Sequence, residues 1–262
     1  MEIEFAKYHG LGNDFILVKE NSNINYIKLA QIACNRYTGI GADGLIVVSL
    51  NPLRMTYYNA DGSRAPMCGN GLRCFSQFVY DEKLVNSKIF QVLTDAYSYD
   101  IEIKDGLIKT NFPISFSPKL MDIATDLDKF FNIKLLDSIC YAVYSGTSHL
   151  VTFVDDLNIN EEYAKALHMH PIFKSKINVN FVKVLSRKQL KINTYERGVG
   201  FTKACGTGAI ASFVIARLLN YVDDVVYVNY EVGNMLIEEV SGNIYQTAKA
   251  SKIAKGILFL DE

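Results

Sequence analysis

Two cysteines sit where a thiol could take part in chemistry. Ala204-Cys205-Gly206-Thr207-Gly208 leads into the apolar run Ala209 to Leu219, a glycine-rich turn that opens a helix. A helix start carries N–H groups without intrahelical partners and the positive end of the peptide dipole. Thiols placed there have pKa values lowered from about 8.5 toward neutrality or below. The same N–H groups seat a carboxylate or a phosphate. The design occurs twice. Met67-Cys68-Gly69-Asn70-Gly71, running on to Tyr80, precedes the second copy by 137 residues, roughly half of the 262-residue chain.

A glycine early in a helix weakens it by about 1 kcal/mol relative to alanine, so it needs a reason, and close approach of a ligand to the backbone is one. Cys34, Cys74 and Cys140 lack that setting and read as small buried hydrophobes. Paired thiols could bind a metal, but no Cys-x-x-Cys or Cys/His cluster supplies further ligands. They could form a redox pair, although the short-spaced motif for that is missing. They could also do acid–base work on both faces of one carbon. Racemisation takes a proton from one face and returns one to the other, which a thiolate and a thiol can divide between them. N–H groups at both helix starts would hold an α-carboxylate and stabilise the charge that develops. No cofactor fingerprint is present, so neither a cofactor nor a metal is expected.

The elements around each cysteine repeat. Glu2–Ala6 and Phe15–Val18 read as strands. The glycine-rich crossing His9 to Asp14 between them reads as too short and irregular for a simple hairpin. Asn25 caps a short helix with apolar positions Ile27, Leu29, Ile32 and Ala33, ended by Gly39. Strands over 45–50 and 54–58 follow, then the loop Asn59 to Ser63 that delivers the chain to Cys68. Three strands close the half, the last two a hairpin across Lys104-Asp105-Gly106. The second half offers a strand over 139–144, the crossing Ser145-Gly146-Thr147, a strand over 150–154, a short helix capped by Asn160, two strands, the loop 196–203, Cys205 and three strands. Gly12 precedes Cys68 by 56 residues and Gly146 precedes Cys205 by 59. Two similar lobes facing each other would bring both helix starts to one cleft. The break falls in Phe112 to Lys119, where two prolines interrupt the pattern. This gives an N-terminal lobe over 1–115, to which a strand at about 250–262 returns, and a C-terminal lobe over 116–262.

Composition agrees with an ordinary globular chain, 49% apolar and 21% charged. A net charge of −1 gives no electrostatic case for nucleic acid or an acidic membrane. Met1-Glu-Ile-Glu-Phe5 is not the start of a signal peptide, no apolar stretch reaches the ~18 residues of a membrane span, and the odd number of cysteines points to a reducing cytoplasm.

His9-Gly-Leu-Gly-Asn-Asp-Phe15, Asn59-Ala-Asp-Gly-Ser63, Met67 to Cys74, and Tyr195-Glu-Arg-Gly198 through Ala209 together resemble diaminopimelate epimerase. The resemblance covers the chain in order. It implies an α+β fold of two pseudo-symmetric lobes, each a β-barrel-like mixed sheet wrapped around a central helix. It also implies an isomerase that interconverts LL- and meso-diaminopimelate without pyridoxal phosphate, on the route to lysine and peptidoglycan, in a cytoplasmic homodimer. By that resemblance Cys68 and Cys205 exchange the roles of base and acid. Gly69, Asn70, Gly206 and Thr207 supply donors to the reacting carboxylate, and Asn13, Asn59, Asn178, Glu196 and Arg197 contact a diamino diacid. His149 and Glu196 tune the thiols.

Four positions depart from the family pattern. Thr147 stands where Asn is common and becomes a further candidate contact. Asn180 stands where Gly is usual, Phe201 where Glu is frequent, and Gly44 where some members have Gln. These changes leave open a racemase of another amino acid on the same fold. A thiol-redox or binding protein is the reading from a different class. His168 and His170 read as structural hydrogen bonders, and His9 is given no chemistry.

Overall fold

One series of elements runs through the chain twice. The computed structural model describes residues 1–260. The first pass is β1 (Glu2–Gly10), β2 (Asn13–Lys19), α1 (Tyr26–Ala33), β3 (Gly44–Leu50), β4 (Leu53–Asn59), β5 (Arg64–Ala65), α2 (Gly69–Asp81), β6 (Ile89–Leu93), β7 (Ser98–Lys104) and β8 (Leu107–Phe112). After a short β9 (Ile133–Leu135) the second pass is β10 (Ser138–Tyr144), β11 (Ser148–Phe153), α3 (Glu161–His168), β12 (Asn178–Ser186), β13 (Gln189–Glu196), β14 (Gly200–Thr202), α4 (Gly206–Leu218), β15 (Val225–Tyr230), β16 (Gly233–Val240) and β17 (Asn243–Lys249). A last strand, β18 (Ser251–Phe259), pairs antiparallel with β1. The strand expected over about 250–262 ends there, and residues 261 and 262 lie outside the described residues. Two compact units result, one of Met1–Thr110 with the chain from Ala248 on, the other of Asn111–Thr247.

Strand pairing repeats as well. β1 and β2 are antiparallel, β2 and β3 parallel, β3 and β4 antiparallel, and β6 returns parallel to β4. β10 to β13 and β15 do the same. Each unit is therefore a mixed, barrel-like sheet around its own helix. A central helix must be accepted by the core on all sides, and α4 is buried from Gly206 to Ala216. In α2, Gly69 to Ser76, Phe78 and Val79 are buried. Two hydroxyls inside these helices satisfy themselves locally: Ser76 Oγ donates to the Leu72 carbonyl at 2.8 Å and Ser212 Oγ to that of Gly208 at 2.7 Å.

Two local expectations fail for identifiable reasons. The first crossing is a simple hairpin, with Gly10 opposite Asn13 and only Leu11 and Gly12 between them. Both have positive φ, 53° and 81°, as do Asp105 and Gly106 (52° and 75°) in the hairpin that the sequence does disclose. The turn is the same, but a leucine occupies the left-handed position that Asn or Asp usually fills. Helix α1 ends at Ala33 and not at Gly39. A Cβ on Gly39 would strike the carbonyl oxygens of Ile32 and Ala33, so this glycine permits close passage beneath the helix end. Ile27 and Ile32 of that helix are exposed, and Leu29, Ala30 and Ala33 carry its burial.

Candidate active site

Both cysteines cap their helices. Cys68 is the N-cap of α2, extended at φ −142° and ψ 114°, and its Sγ accepts from the Gly71 N–H at 3.4 Å. Cys205 is the N-cap of α4, at φ −120° and ψ 113°, and its Sγ accepts from the Gly208 N–H at 3.3 Å. A sulfur thus takes the place of the usual Ser or Asp oxygen in the cap. The glycine three residues on lies close under each sulfur: a Cβ on Gly71 would come 3.5 Å from Cys68 Sγ, an ordinary contact, and one on Gly208 would come 3.2 Å from Cys205 Sγ, a tight one.

Around Cys68 the sheet brings together Asn13, Asn70 and a set of charges. Parallel pairing of β2 with β3 sets Phe15 opposite Gly44, which puts Asp43 beside Asn13 and Asp14. Asn13 is held at both ends of its amide, accepting from Asn70 Nδ2 at 3.1 Å and donating to Asp43 Oδ2 at 2.5 Å. Asn70 in turn accepts from Arg73, which is fully buried in α2. Burial would raise the Asp14 carboxyl, but hydrogen bonds and charge from Arg36 and Lys7 outweigh it and hold the group down at about 2. Asn59 has a separate anchorage. Its Nδ2 donates to Ser63 Oγ at 2.9 Å, which shapes the loop before Cys68.

Around Cys205 the network is largely uncharged. Cys205 is 4% exposed, and Thr207 Oγ1 lies 3.5 Å from its sulfur. His149 Nε2 is 2.9 Å from both Thr207 Oγ1 and Thr147 Oγ1. Asn178 Nδ2 donates to Thr147 Oγ1 at 3.4 Å, and Asn178 Oδ1 accepts from the Arg197 N–H at 2.9 Å. The Arg197 guanidinium rests on the Ser175 carbonyl at 3.1 Å. Glu196 Oε1 accepts from Thr202 Oγ1 at 2.5 Å, and the carboxyl is also hydrogen-bonded to Cys205. Thr147, His149, Asn178, Glu196, Arg197, Cys205 and Thr207 are therefore joined in one unit. His149 reaches the sulfur through the Thr207 hydroxyl.

The direction of the Cys205 pKa corrects the sequence reading. A helix start should lower it. Burial instead raises the thiol well above its usual value, and the neighbouring Glu196 charge adds to that, while Thr207 and the Gly208 N–H pull the other way. Burial also raises the Glu196 carboxyl. These effects together favour the thiol form of Cys205 over the thiolate. Burial alone pushes His149 down to about 3, so its ring is neutral.

Side chains that the sequence did not single out fix the second cysteine turn. Tyr230 donates to the Cys205 carbonyl, Gln246 to that of Gly206 and Ser145 to that of Thr207, each at 2.8 Å. In a trans peptide the N–H points opposite to the C=O, so anchoring these carbonyls aims the N–H groups of Gly206, Thr207 and Gly208 the other way. The Gly208 N–H meets Cys205 Sγ, and those of Gly206 and Thr207 form a preorganised donor pair of the kind that holds a carboxylate. Asn180, which in the sequence is only a departure from the family pattern, contacts His149 at 3.0 Å. The remaining cysteines are inert. Cys34, Cys74 and Cys140 are buried, and burial pushes their thiols up, to about 12 for Cys34 and Cys140. His168 Nδ1 pairs with the Ile177 carbonyl at 2.6 Å, a structural bond.

Known proteins match this chain along its length. A profile of the family described as diaminopimelate epimerase matches residues 5–110 and 141–253. The diaminopimelate epimerase of Alkaliphilus metalliredigens is 36% identical, over 98% of this chain and 98% of its own. That of Methanocella arvoryzae is 38% identical, over 99% and 98%. The crystal structure of a hydroxyproline epimerase from Agrobacterium vitis superposes with a TM-score of 0.71 at 12% identity, covering 100% of this chain and 93% of that one, which shows a common fold. With the profile spanning both cysteine turns and relatives aligned from end to end, this chain belongs to the diaminopimelate epimerase family.

Proposed function

We propose that this chain is an isomerase that interconverts LL- and meso-diaminopimelate with two thiols and no cofactor. One cysteine, as thiolate, removes the α-proton from one face of the carbon. The other, as thiol, delivers its proton to the opposite face, so each turnover leaves the two sulfurs with exchanged roles. A high pKa suits Cys205 to be the donor in the direction where Cys68 is the base. The N–H groups of Gly69, Asn70, Gly206 and Thr207 receive the α-carboxylate. Asn13, Asn59, Asn178, Glu196 and Arg197 take the rest of the diamino diacid, with Thr147 beside them, and Arg197 suits a carboxylate because its guanidinium can bind one bidentately. His149 and Glu196 tune Cys205. The reading places Cys68 in a lobe over about 1–115, with the last strand returning to it, and Cys205 in the lobe that follows. It includes a cytoplasmic homodimer that binds neither nucleic acid nor membrane and serves lysine and peptidoglycan precursor synthesis.

The observation that carries this reading is the matched pair of caps. In a chain of this family, each of two cysteines accepts an N–H from the glycine three residues on, at the start of a buried helix. The test is conversion of LL-diaminopimelate by the reduced protein. The meso isomer should form, and Cys68→Ala and Cys205→Ala should each abolish its formation. No conversion of any diamino or basic amino acid would overturn the epimerase reading. Turnover of lysine equal to that of diaminopimelate would overturn the assignment of the distal contacts.

A further inference from the structure

Behind Cys205 a line of hydrogen bonds runs deeper into the unit than two-thiol chemistry requires. Asn180 on β12 is fully buried and lies opposite Thr194 of β13 and Val151 of β11. Its Nδ2 donates to the Leu150 carbonyl at 2.9 Å, and its Oδ1 accepts from Thr194 Oγ1 at 3.1 Å. A carbonyl can only accept, so the orientation of this amide is fixed. The second Nδ2 hydrogen then meets His149 Nδ1 at 3.0 Å. A ring nitrogen that accepts carries no proton, which leaves the imidazole proton on Nε2. Nε2–H faces the hydroxyls of Thr207 and Thr147, both at 2.9 Å. Once Thr207 Oγ1 accepts from His149, its own hydrogen is available to Cys205 Sγ.

We propose that Asn180 is a positioning residue for the Cys205 thiolate: by holding His149 in the Nε2–H form, it turns the Thr207 hydroxyl toward the sulfur. The proposal rests on the reading of Cys205 as an acid and base. No proton is passed along the line, since each donor keeps its hydrogen and only directions are set. The opposite tautomer would make Nε2 an acceptor, and the Thr207 hydroxyl would turn to the ring and away from the sulfur. This matters because Glu196, facing Cys205 from β13, disfavours a second negative charge there. The Thr207 hydroxyl and the Gly208 N–H are the donors that offset it. Asn180 also shapes the helix start directly, because a Cβ on Gly208 would overlap its Oδ1.

Imidazole ¹⁵N spectra of the labelled protein read the tautomer without substrate, with the His149 signals identified by their loss in His149→Gln. The wild type should show a neutral Nε2–H ring from pH 8 to pH 5. Asn180→Asp, whose carboxylate accepts where the amide donated, should invert it to Nδ1–H. Should that variant not fold, Asn180→Gly removes the lock and should give a mixture of both tautomers. In a Cys68→Ser background, the rate of Cys205 alkylation by iodoacetamide, followed by mass spectrometry, gives the pH profile of the sulfur. Its midpoint should rise by about one to two pH units in Thr207→Val and in the Asn180 variant that folds, the loss expected for one hydrogen bond to a charged group. Thr207→Ser, which keeps the hydroxyl, should restore the wild-type profile. A wild-type ring in the Nδ1–H form, or a profile unmoved by Thr207→Val, would overturn the proposal. A protein that shows the stated tautomer and profile but interconverts no diaminopimelate would overturn the two-thiol reading alone.

Discussion

At the scale of residues, Cys68 and Cys205 share a cap geometry but not an environment. Cys205 is enclosed, hydrogen-bonded to Glu196 and favoured in its thiol form, whereas Cys68 is partly exposed. The glycines beneath them differ correspondingly. A Cβ on Gly71 would meet Ile46 Cδ1 at 3.2 Å, the far end of a side chain that can give way. A Cβ on Gly208 would overlap the Asn180 amide, which three hydrogen bonds fix in place. Gly208→Ala should therefore lower kcat/KM by about a hundredfold, the scale of a reacting group misplaced by an ångström. Gly71→Ala should cost less than about tenfold, since its neighbour can repack. Adding Asn180→Gly to Gly208→Ala should recover stability in urea denaturation, a coupling between touching residues. Equal damage from the two alanines, with no recovery in the double variant, would contradict the overlap. The cysteines and their glycines were legible because their spacing is local. The role of Asn180 was not, because its partners Leu150, His149 and Thr194 meet only after β11, β12 and β13 pair in register.

At the scale of elements, the two passes place different chemistry at equivalent points. The strand after the first crossing, β2, opens with Asn13-Asp14, tied to Arg36, Lys7 and Asp43. The strand after the second, β11, opens with Ser148-His149, tied to an amide and two hydroxyls. Both groups lose stabilising power in acid. The native chain leaves His149 unprotonated down to about pH 3, while the unfolded chain protonates it from about 6.5. Between those values the unfolded state holds one more proton, so stability falls as pH falls, by about 1.4 kcal/mol per pH unit. Asp14, held at about 2 against an ordinary 3.8, adds its loss below about pH 4. Glu196, raised by burial, works in the opposite sense above pH 4.5, where the native state keeps the extra proton. Comparison with His149→Gln isolates the histidine. The stability difference between wild type and variant in urea denaturation should narrow at that slope below about pH 6.5, and a constant difference would contradict it. The order of these elements was readable from glycine and cysteine spacing. The hairpin at Leu11-Gly12 was hidden by a leucine at positive φ, and the end of α1 by a glycine that serves packing.

At the scale of the whole molecule, the repeated series of elements places one cysteine-capped helix in each pass. One pass of strand, crossing, strand, helix, strands and capped helix supplies one sulfur and one set of helix-start donors. A second pass supplies the other. A single base that removed and returned the same proton would need only one pass, whereas the proposed reaction assigns one thiol to each face of the carbon. That division is the central claim, and it has an isotopic signature. The reaction should be started from protiated LL-diaminopimelate in D₂O and stopped while little has converted. The thiolate then removes a protium, and the partner thiol, already exchanged with solvent, delivers a deuterium. The meso product should carry one deuterium at its inverted α-carbon, and the recovered LL isomer should carry none. Deuterium appearing equally in recovered substrate and product, or product that retains the original protium, would show one base serving both faces and would contradict the two-thiol mechanism.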